Sequence, residues 1–249
     1  MSHRNGPALM TTHRRVQQQA AFILHHRPFR DTSQILDVIS RDHGKLAVVA
    51  RGSRGARSRL KGILRPFMPL SISWVIKSDL GTLTGAEVLG APLRLSGDAL
   101  LSGYYVNELI LHFLHRHDPQ PGVFDAYGQT IRALASADAD IAPCLRQFEI
   151  ELLRQVGYAL NLDREYGSNN KLDADQTYEY RVEQGPVPVS RAEGALVFKG
   201  GTLTAISDQR FDEPEVLRAA SRLLRDVISF HLDGKELKSR KVLLDIHRR

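Results

Sequence analysis

Cysteine is nearly absent from this sequence, since Cys144 is the only one among 249 residues. A single cysteine can build neither a disulfide framework nor a cysteine-rich zinc site within one chain. Such sparing use of cysteine is typical of proteins in a reducing compartment. Cys144 falls on a predicted amphipathic helix, where a small packed side chain is a better interpretation than a nucleophile.

The sequence also lacks a long apolar run. No stretch reaches the length of uncharged apolar residues that a membrane-spanning helix requires. Residues 1–15 are polar and basic, unlike the apolar core of a signal peptide. We therefore expect a cytoplasmic protein without a membrane partner, and we predict that residues 1–17 form a disordered tail.

Signatures of catalysis are missing as well. The sequence contains no GxSxG, no GxxxxGKS/T phosphate loop, no GxGxxG after a predicted strand and no HExxH. Ten histidines raise the question of a metal site. His112 and His115 lie one helical turn apart, yet no carboxylate at matching spacing completes a zinc set. The expectation is a protein that is not an enzyme, with no catalytic residue, metal or cofactor.

Acidic residues are scarce only in the first third of the chain. Residues 1–85 hold 14 lysines and arginines against 4 acidic residues, a net charge of +10, whereas residues 86–249 hold 20 against 24, a net charge of −4. An asymmetry of this size indicates that the two parts face different partners. The basic part is suited to a polyanion.

The first third is also rich in predicted β-strands. About five short runs with apolar alternation lie between residues 18 and 88, separated by turns such as Arg41-Asp42-His43-Gly44. That number of strands in some seventy residues suits a small closed barrel, of which the OB-fold is one common form.

A basic stretch within this region is the strongest local signal. Its cations are spaced by Gly, Ser and Ala and predict a mobile loop, and long cationic side chains are what phosphate contacts require. The alternative is a solvated basic loop without a ligand. The residues predicted to contact DNA phosphates are Arg27, Arg51, Arg54, Arg57, Arg59, Lys61 and Arg65.

Other residues of the predicted barrel extend this site. Arg41 and Lys77 could lengthen the basic track, and Phe29 and Trp74 are candidate surfaces for base stacking. For Trp74 the interpretation as a core residue is better, because it lies in an apolar strand.

The remainder, residues 93–249, is predicted to be a mainly α-helical domain with an irregular, partly β insert over residues 161–210. The fold class is thus α+β. Aromatic and arginine side chains on three predicted helices would suit a groove for an acidic peptide with an aromatic end, although spacing alone favours plain core with peripheral charge. The candidate groove residues are Tyr104, Phe124, Tyr127, Arg132, Arg146 and Arg154. The basic segment Lys238-Ser239-Arg240-Lys241 has no assigned role.

Several segments in order resemble the bacterial recombination mediator family RecO. They are Phe29-Arg30-Asp31-Thr32-Ser33 with the Asp42-His43-Gly44 turn, residues 52–59 followed by Leu64-Arg65-Pro66-Phe67, Tyr105-Val106-Asn107-Glu108-Leu109, Phe124-Asp125-Ala126-Tyr127, Arg146-Gln147-Phe148-Glu149 through Gly157-Tyr158, and Leu237-Lys238-Ser239-Arg240.

The resemblance implies an N-terminal OB-fold followed by a helical domain. It implies binding of single- and double-stranded DNA, annealing of complementary strands, and partnership with RecR to load RecA onto strands coated by single-strand-binding protein (SSB). It further implies that the helical domain binds the acidic, Phe-terminated tail of SSB. Some members carry a four-cysteine zinc site near the region that corresponds to residues 162–208. This sequence has no cysteine there, so a metal-free insert is expected.

An RNA-binding OB-fold module on a helical scaffold is the alternative function. Composition cannot separate it from DNA binding, because phosphate contacts do not depend on the sugar. Competition between matched RNA and DNA oligonucleotides would decide.

Overall fold

A five-stranded closed barrel forms the N-terminal part of the structure, which is a computed structural model describing residues 14–76, 79–190 and 196–247. Its strands are β1 (Arg14–Phe29), β2 (Ser33–Ser40), β3 (Gly44–Ala50), β4 (Leu70–Ile76) and β5 (Leu80–Val88). They follow the order β1-β2-β3-β5-β4, and β4 pairs back onto β1. Only the contact between β3 and β5 is parallel; the others are antiparallel. The predicted OB-fold is confirmed.

The barrel closes around alternate side chains of its strands. In β4, for example, Leu70, Ile72 and Trp74 point inward and are buried, whereas the residues between them are partly exposed. This period of two is what the apolar alternation predicts. Trp74 is fully buried, which confirms the core interpretation and removes it from the candidate stacking surfaces.

Strand β1 is longer than its apolar run. It begins at Arg14, inside the segment 1–17 that was predicted to be a tail, so for residues 14–17 the prediction is wrong; residues 1–13 lie outside the described part. A bulge between Val16 and Gln19, with Gln18 at φ +50°, lets the polar start of the strand pair with β4. The polar residues Arg15 and Gln19 are held by pairing with β4 and not by burial of their side chains, and a search for apolar alternation does not detect such residues.

The C-terminal part is helical with a small sheet, as the fold class predicts. Its elements are α1 (Gly97–Phe113), α2 (Pro121–Leu134), α3 (Ile141–Gln155), β6 (Thr177–Arg181), β7 (Gly185–Pro188), β8 (Val197–Lys199), α4 (Gly200–Ser207), α5 (Pro214–His231) and α6 (Lys238–His247). The sheet has the antiparallel order β7-β6-β8. Helix α4 was not predicted within the insert. None of the described helices is long and apolar enough to span a membrane.

Residues 116–119 belong to the barrel although they lie between α1 and α2. The backbone N–H of His117 donates to the carbonyl of Lys45 at 2.8 Å, and these four residues group with the chain up to Pro92 as one compact unit. Residues 93–115 and 120–249 form the second unit. Helix α1 ends at Phe113, and the chain then leaves the helical unit to pair with the barrel.

The insert is held by hydrogen bonds around a buried tyrosine. The hydroxyl of Tyr178 donates to Glu165 Oε1 at 3.0 Å and accepts from the backbone N–H of Asp173 at 3.0 Å. The loop before β6 is closed by backbone bonds such as Glu165 N–H to the Asn170 carbonyl at 2.9 Å. Within the described ranges no three His, Cys, Asp or Glu side chains come close enough to hold a metal ion.

Candidate nucleic-acid interface and arginine groove

The segment between β3 and β4, residues 51–65, is a chain of turns that we call the basic loop. Hydrogen bonds recur every three residues, from Gly55 N–H to the Gly52 carbonyl, from Ser58 to Gly55 and from Lys61 to Ser58, at 3.0 to 3.2 Å. Buried Leu64 joins the barrel core, and Leu60 and Ile63 pack against it. The basic loop is therefore anchored at its second half, which the Gly, Ser and Ala spacing did not predict.

The cations of the basic loop all face away from this anchor. The side chains of Arg51, Arg54, Arg57, Arg59, Lys61 and Arg65 are exposed. Among the described residues, none of these six lies within ion-pair distance of a carboxylate. A surface with several cations and no local acidic partner keeps its charge available for an external anion.

The start of the basic loop is tied to the β1–β2 turn. The backbone N–H of Arg54 donates to the Thr32 carbonyl at 2.8 Å, and that of Gly52 donates to Ser33 Oγ at 3.4 Å. At this turn the guanidinium of Arg30 lies 5.2 Å from the ring centre of half-buried Phe29. The Phe29-Arg30-Asp31-Thr32-Ser33 motif thus supports the basic loop, and it keeps Phe29 as a candidate for base stacking.

The other basic residues predicted for this site have different surroundings. Arg27 forms an ion pair with Asp37 at 2.9 Å, and His25 lies 3.6 Å from the same carboxylate. The charge of Arg27 is therefore compensated by Asp37. Arg41 lies 3.8 Å from Asp42, and Lys77 lies outside the described residues.

Of the six candidate groove residues, the structure brings only Arg146 to a groove. Tyr127 is fully buried with its hydroxyl donating to Asn107 Oδ1 at 2.8 Å, and Phe124 is also core. Tyr104 is exposed. Arg132 is exposed at the end of α2, and Arg154 makes two hydrogen bonds to Glu151, at 2.7 and 2.8 Å. The interpretation as core with peripheral charge holds for most of this set.

A different cavity in the helical unit combines arginine with apolar surface. Its volume is about 500 Å³, and we call it the arginine groove. Helices α1, α3, α5 and α6 supply its lining residues, which are Tyr105, Ala142, Leu145, Arg146, Glu149, Leu217, Arg218, Ser221, Arg222, Arg225 and Arg240. Five arginines thus surround an apolar floor in a unit whose sequence is net acidic.

Sequence reasoning missed four of these arginines. Arg218, Arg222 and Arg225 follow the i, i+4, i+7 spacing that places side chains on one face of a helix. This spacing was a usable signal. Arg240, by contrast, reaches the groove from α6, more than a dozen residues further on, and only the tertiary structure reveals it.

A buried network fixes Arg146 at the wall of the arginine groove. Glu149 Oε1 accepts hydrogen bonds from the Tyr105 hydroxyl at 2.6 Å and from Arg146 Nη2 at 2.5 Å, while Arg146 Nη1 donates to Ser221 Oγ at 2.9 Å. Burial raises the pKa of Glu149 above its ordinary range, although the Arg146 charge opposes that shift. Burial likewise raises the pKa of Tyr105, so its hydroxyl stays protonated and donates.

Comparison with known families matches both units. Residues 13–92 match the family described as Recombination protein O N terminal, and residues 94–241 match the one described as Recombination protein O C terminal. The chain belongs to the RecO family.

Individual RecO proteins are similar along nearly the whole chain. The DNA repair protein RecO of Aromatoleum aromaticum is 40% identical over 238 residues, which cover 95% of this chain and 99% of that protein. The RecO of Dechloromonas aromatica is 39% identical over 244 residues, with the same two coverages, and that of Methylococcus capsulatus is 39% identical over 228 residues, covering 92% and 93%.

RecO membership gives the chain a role in DNA repair and recombination, and with the OB-fold barrel it supports DNA binding. The boundary between the two matches, at residues 92–94, coincides with the division between the barrel and the helical unit.

Proposed function

We propose that this RecO protein binds single- and double-stranded DNA through the basic loop and anneals complementary strands without covalent chemistry. The observation that carries the proposal is the set of six exposed cations, without acidic partners among the described residues, on a loop anchored to an OB-fold barrel. OB-folds commonly bind nucleic acids on the face of their second and third strands and on the loops beside it, and the start of the basic loop is tied to one of these loops, the β1–β2 turn.

The physical basis is electrostatic. Two DNA strands repel each other through their phosphates, and a protein that neutralises phosphates on both lowers that repulsion while it releases condensed counterions. The cations of the basic loop alternate with small residues and reach successive phosphates without reading bases. Pairing itself then supplies the sequence selectivity, and no catalytic residue is required.

Replacing Arg57 and Arg59 together with alanine tests this role. We expect weaker DNA binding and a salt dependence, log K against log salt, that is shallower by about 1.4–1.8 units for two lost phosphate contacts. Fluorescence anisotropy across a salt titration measures both quantities. Arg154→Ala is the control, because that arginine is exposed but paired with Glu151 on the helical unit. An unchanged slope in the double variant would refute the assignment.

The RNA-binding alternative predicts a different competition result. A matched RNA oligonucleotide should then displace labelled DNA at an equal or lower concentration than unlabelled DNA does. We expect unlabelled DNA to compete at a lower concentration than the matched RNA and annealing activity to accompany DNA binding, in keeping with the family's role in DNA repair.

We further propose that the arginine groove binds the acidic, Phe-terminated tail of SSB. The groove has an apolar floor for an aromatic ring, formed by Leu145, Ala142 and Leu217. Arg146 and Arg225 are paired with Glu149 and Asp226. In the part of the chain that the structure describes, Arg218, Arg222 and Arg240 lie beyond ion-pair distance of any carboxylate, so they are the arginines that complement the carboxylates of the tail. Such a tail would recruit the protein to SSB-coated strands, where, with RecR as a partner, it would help to load RecA. RecR and RecA enter this proposal from the family resemblance.

A peptide ending in Asp-Asp-Ile-Pro-Phe tests the groove with the full-length protein. Arg218→Ala should weaken binding about 5–10-fold, because a contact from an exposed side chain contributes about 1–1.4 kcal/mol, the range of an ordinary net hydrogen bond. Isothermal titration calorimetry measures the affinity. Arg132→Ala is the matched control, since Arg132 is exposed yet lies outside the groove. Equal losses in the two variants would argue for nonspecific charge attraction instead.

A further inference from the structure

Helix α6 is held at its first turn by a carboxylate from α1. Glu108 Oε1 accepts the backbone N–H of Lys238 at 3.0 Å, and Glu108 Oε2 accepts the N–H of Ser239 at 2.9 Å and its hydroxyl at 2.5 Å. A carboxylate at this place satisfies N–H groups that the helix itself leaves without partners and complements the positive end of the helix dipole. Glu108 thus caps a helix 130 residues away in sequence.

The capped helix carries one wall of the arginine groove. Arg240 is two residues beyond Lys238, and its side chain lines both the arginine groove and a second cavity of about 470 Å³. Its charge acts on the buried network, where it lowers the pKa of both Glu149 and Tyr105 against the stronger effect of burial. Among the described residues, Arg240 has no carboxylate within ion-pair distance, so its charge is available to an external anion.

Helix α1 therefore contacts the residues that position groove arginines on two other helices, Arg146 on α3 and Arg240 on α6. Tyr105 and Glu108 lie three positions apart, on one face of α1. Tyr105 bonds the carboxylate that holds Arg146, and Glu108 bonds the turn that carries Arg240. This geometry joins Tyr105-Val106-Asn107-Glu108-Leu109, Arg146-Gln147-Phe148-Glu149 and Leu237-Lys238-Ser239-Arg240, three motifs singled out in the sequence, at one site.

We propose that Glu108 is a positioning residue for the binding of an acidic peptide: by capping α6 it fixes the Arg240 guanidinium at the wall of the arginine groove. The inference rests on the proposed binding of such a peptide there. Glu108 does not touch the peptide and acts through Arg240. Leu237, directly before α6, is buried, so we expect it to keep α6 attached when the cap is lost and the loss to change the placement of Arg240 more than the fold.

A double-mutant cycle on the full-length protein tests the proposal. The variants are Glu108→Gln, Arg240→Ala and the double variant, and the probe is the Asp-Asp-Ile-Pro-Phe peptide in calorimetry. We expect Arg240→Ala to weaken binding about 5–10-fold and Glu108→Gln about 3–5-fold, with the double variant no weaker than Arg240→Ala alone. Both single variants should also show a shallower salt dependence of peptide binding, which a general loss of stability would not produce.

The outcomes separate this inference from the proposed groove. If Glu108→Gln binds like the unmodified protein, or if its effect adds fully to that of Arg240→Ala, Glu108 is not a positioning residue although the groove stands. If Arg240→Ala has no effect while Arg218→Ala does, the inference again fails. If neither arginine matters, the proposed peptide binding in the groove is wrong.

Should Glu108→Gln fail to fold, Ser239→Ala, which removes only the hydroxyl bond, must show the same non-additivity with Arg240→Ala. DNA binding through the basic loop is the control and should be unchanged.

Discussion

Two glycines of the barrel unit share a left-handed backbone and differ only in what surrounds them. Gly44 has φ +64° and Gly52 has φ +65°. A Cβ at Gly44 would lie 2.0 Å from the carbonyl oxygen of Asp118, whereas a Cβ at Gly52 would have no heavy atom within 4 Å. The Asp42-His43-Gly44 turn therefore needs glycine because residues 116–119 pass directly over it. That reason is structural and not one of DNA binding.

Alanine at each position separates the two effects. Gly52→Ala should lower the free energy of unfolding by about 1–2 kcal/mol, the cost of a left-handed backbone with a side chain. Gly44→Ala should cost about 3 kcal/mol or more, because the backbone of Asp118 must move as well. Urea denaturation followed by the fluorescence of Trp74, the single tryptophan, measures both. Similar losses in the two variants would mean that the close approach to Asp118 is unimportant.

At the level of elements, the insert between α3 and α5 shows how a polar segment holds its shape without cysteine. The strands β6, β7 and β8 are short, and the loop before them is closed mainly by hydrogen bonds. Tyr178 joins the sheet to that loop through Glu165 and Asp173. The ring of Tyr178 is fully buried and both bonds of its hydroxyl are partly buried, so losing them removes two hydrogen bonds that each contribute about 0.5–1.5 kcal/mol.

Tyr178→Phe should therefore destabilise the helical unit by about 1–3 kcal/mol, because Glu165 and the Asp173 N–H lose a buried partner. Tyr180→Phe is the matched control. Tyr180 is buried on the same strand, but no hydrogen bond of its hydroxyl is seen within the described residues, so a change within about 0.5 kcal/mol is expected. Thermal unfolding and hydrogen exchange in residues 161–176 measure the effect. An equal response of the two variants would disprove the role of the Tyr178 hydroxyl.

For the whole molecule, the sequence predicted what depends on local patterns. Apolar alternation predicted a barrel of about five strands and a core position for Trp74. The predicted helical domain over residues 93–249 is present, and the contrast between net charges of +10 and −4 identified the basic part. The sequence did not predict the start of β1, whose polar residues are held by pairing. The sequence analysis also named Tyr127 as a candidate groove residue, whereas its ring is fully buried in the core of the helical unit.

The arginine groove was beyond sequence reasoning for a specific reason. Its residues come from four helices, and the contacts that set Arg146 and Arg240 in place join α1 to α3 and α6. Such contacts depend on how the helices pack. The single missed signal was the arginine spacing along α5, which amphipathic analysis treats as an ordinary solvated face.

The return of residues 116–119 to the barrel has a consequence for synthesis on the ribosome. Chains emerge from the N-terminus, and domains generally fold as they appear. Here the five strands are complete at Val88, yet the segment that pairs with Lys45 follows only after the whole of α1 has been made. Until residues 116–119 have been synthesised, the β2–β3 turn of the nascent barrel therefore stays uncovered. In a fragment that ends at residue 93 this turn would stay uncovered, because residues 116–119, which cover it, would belong to the other fragment.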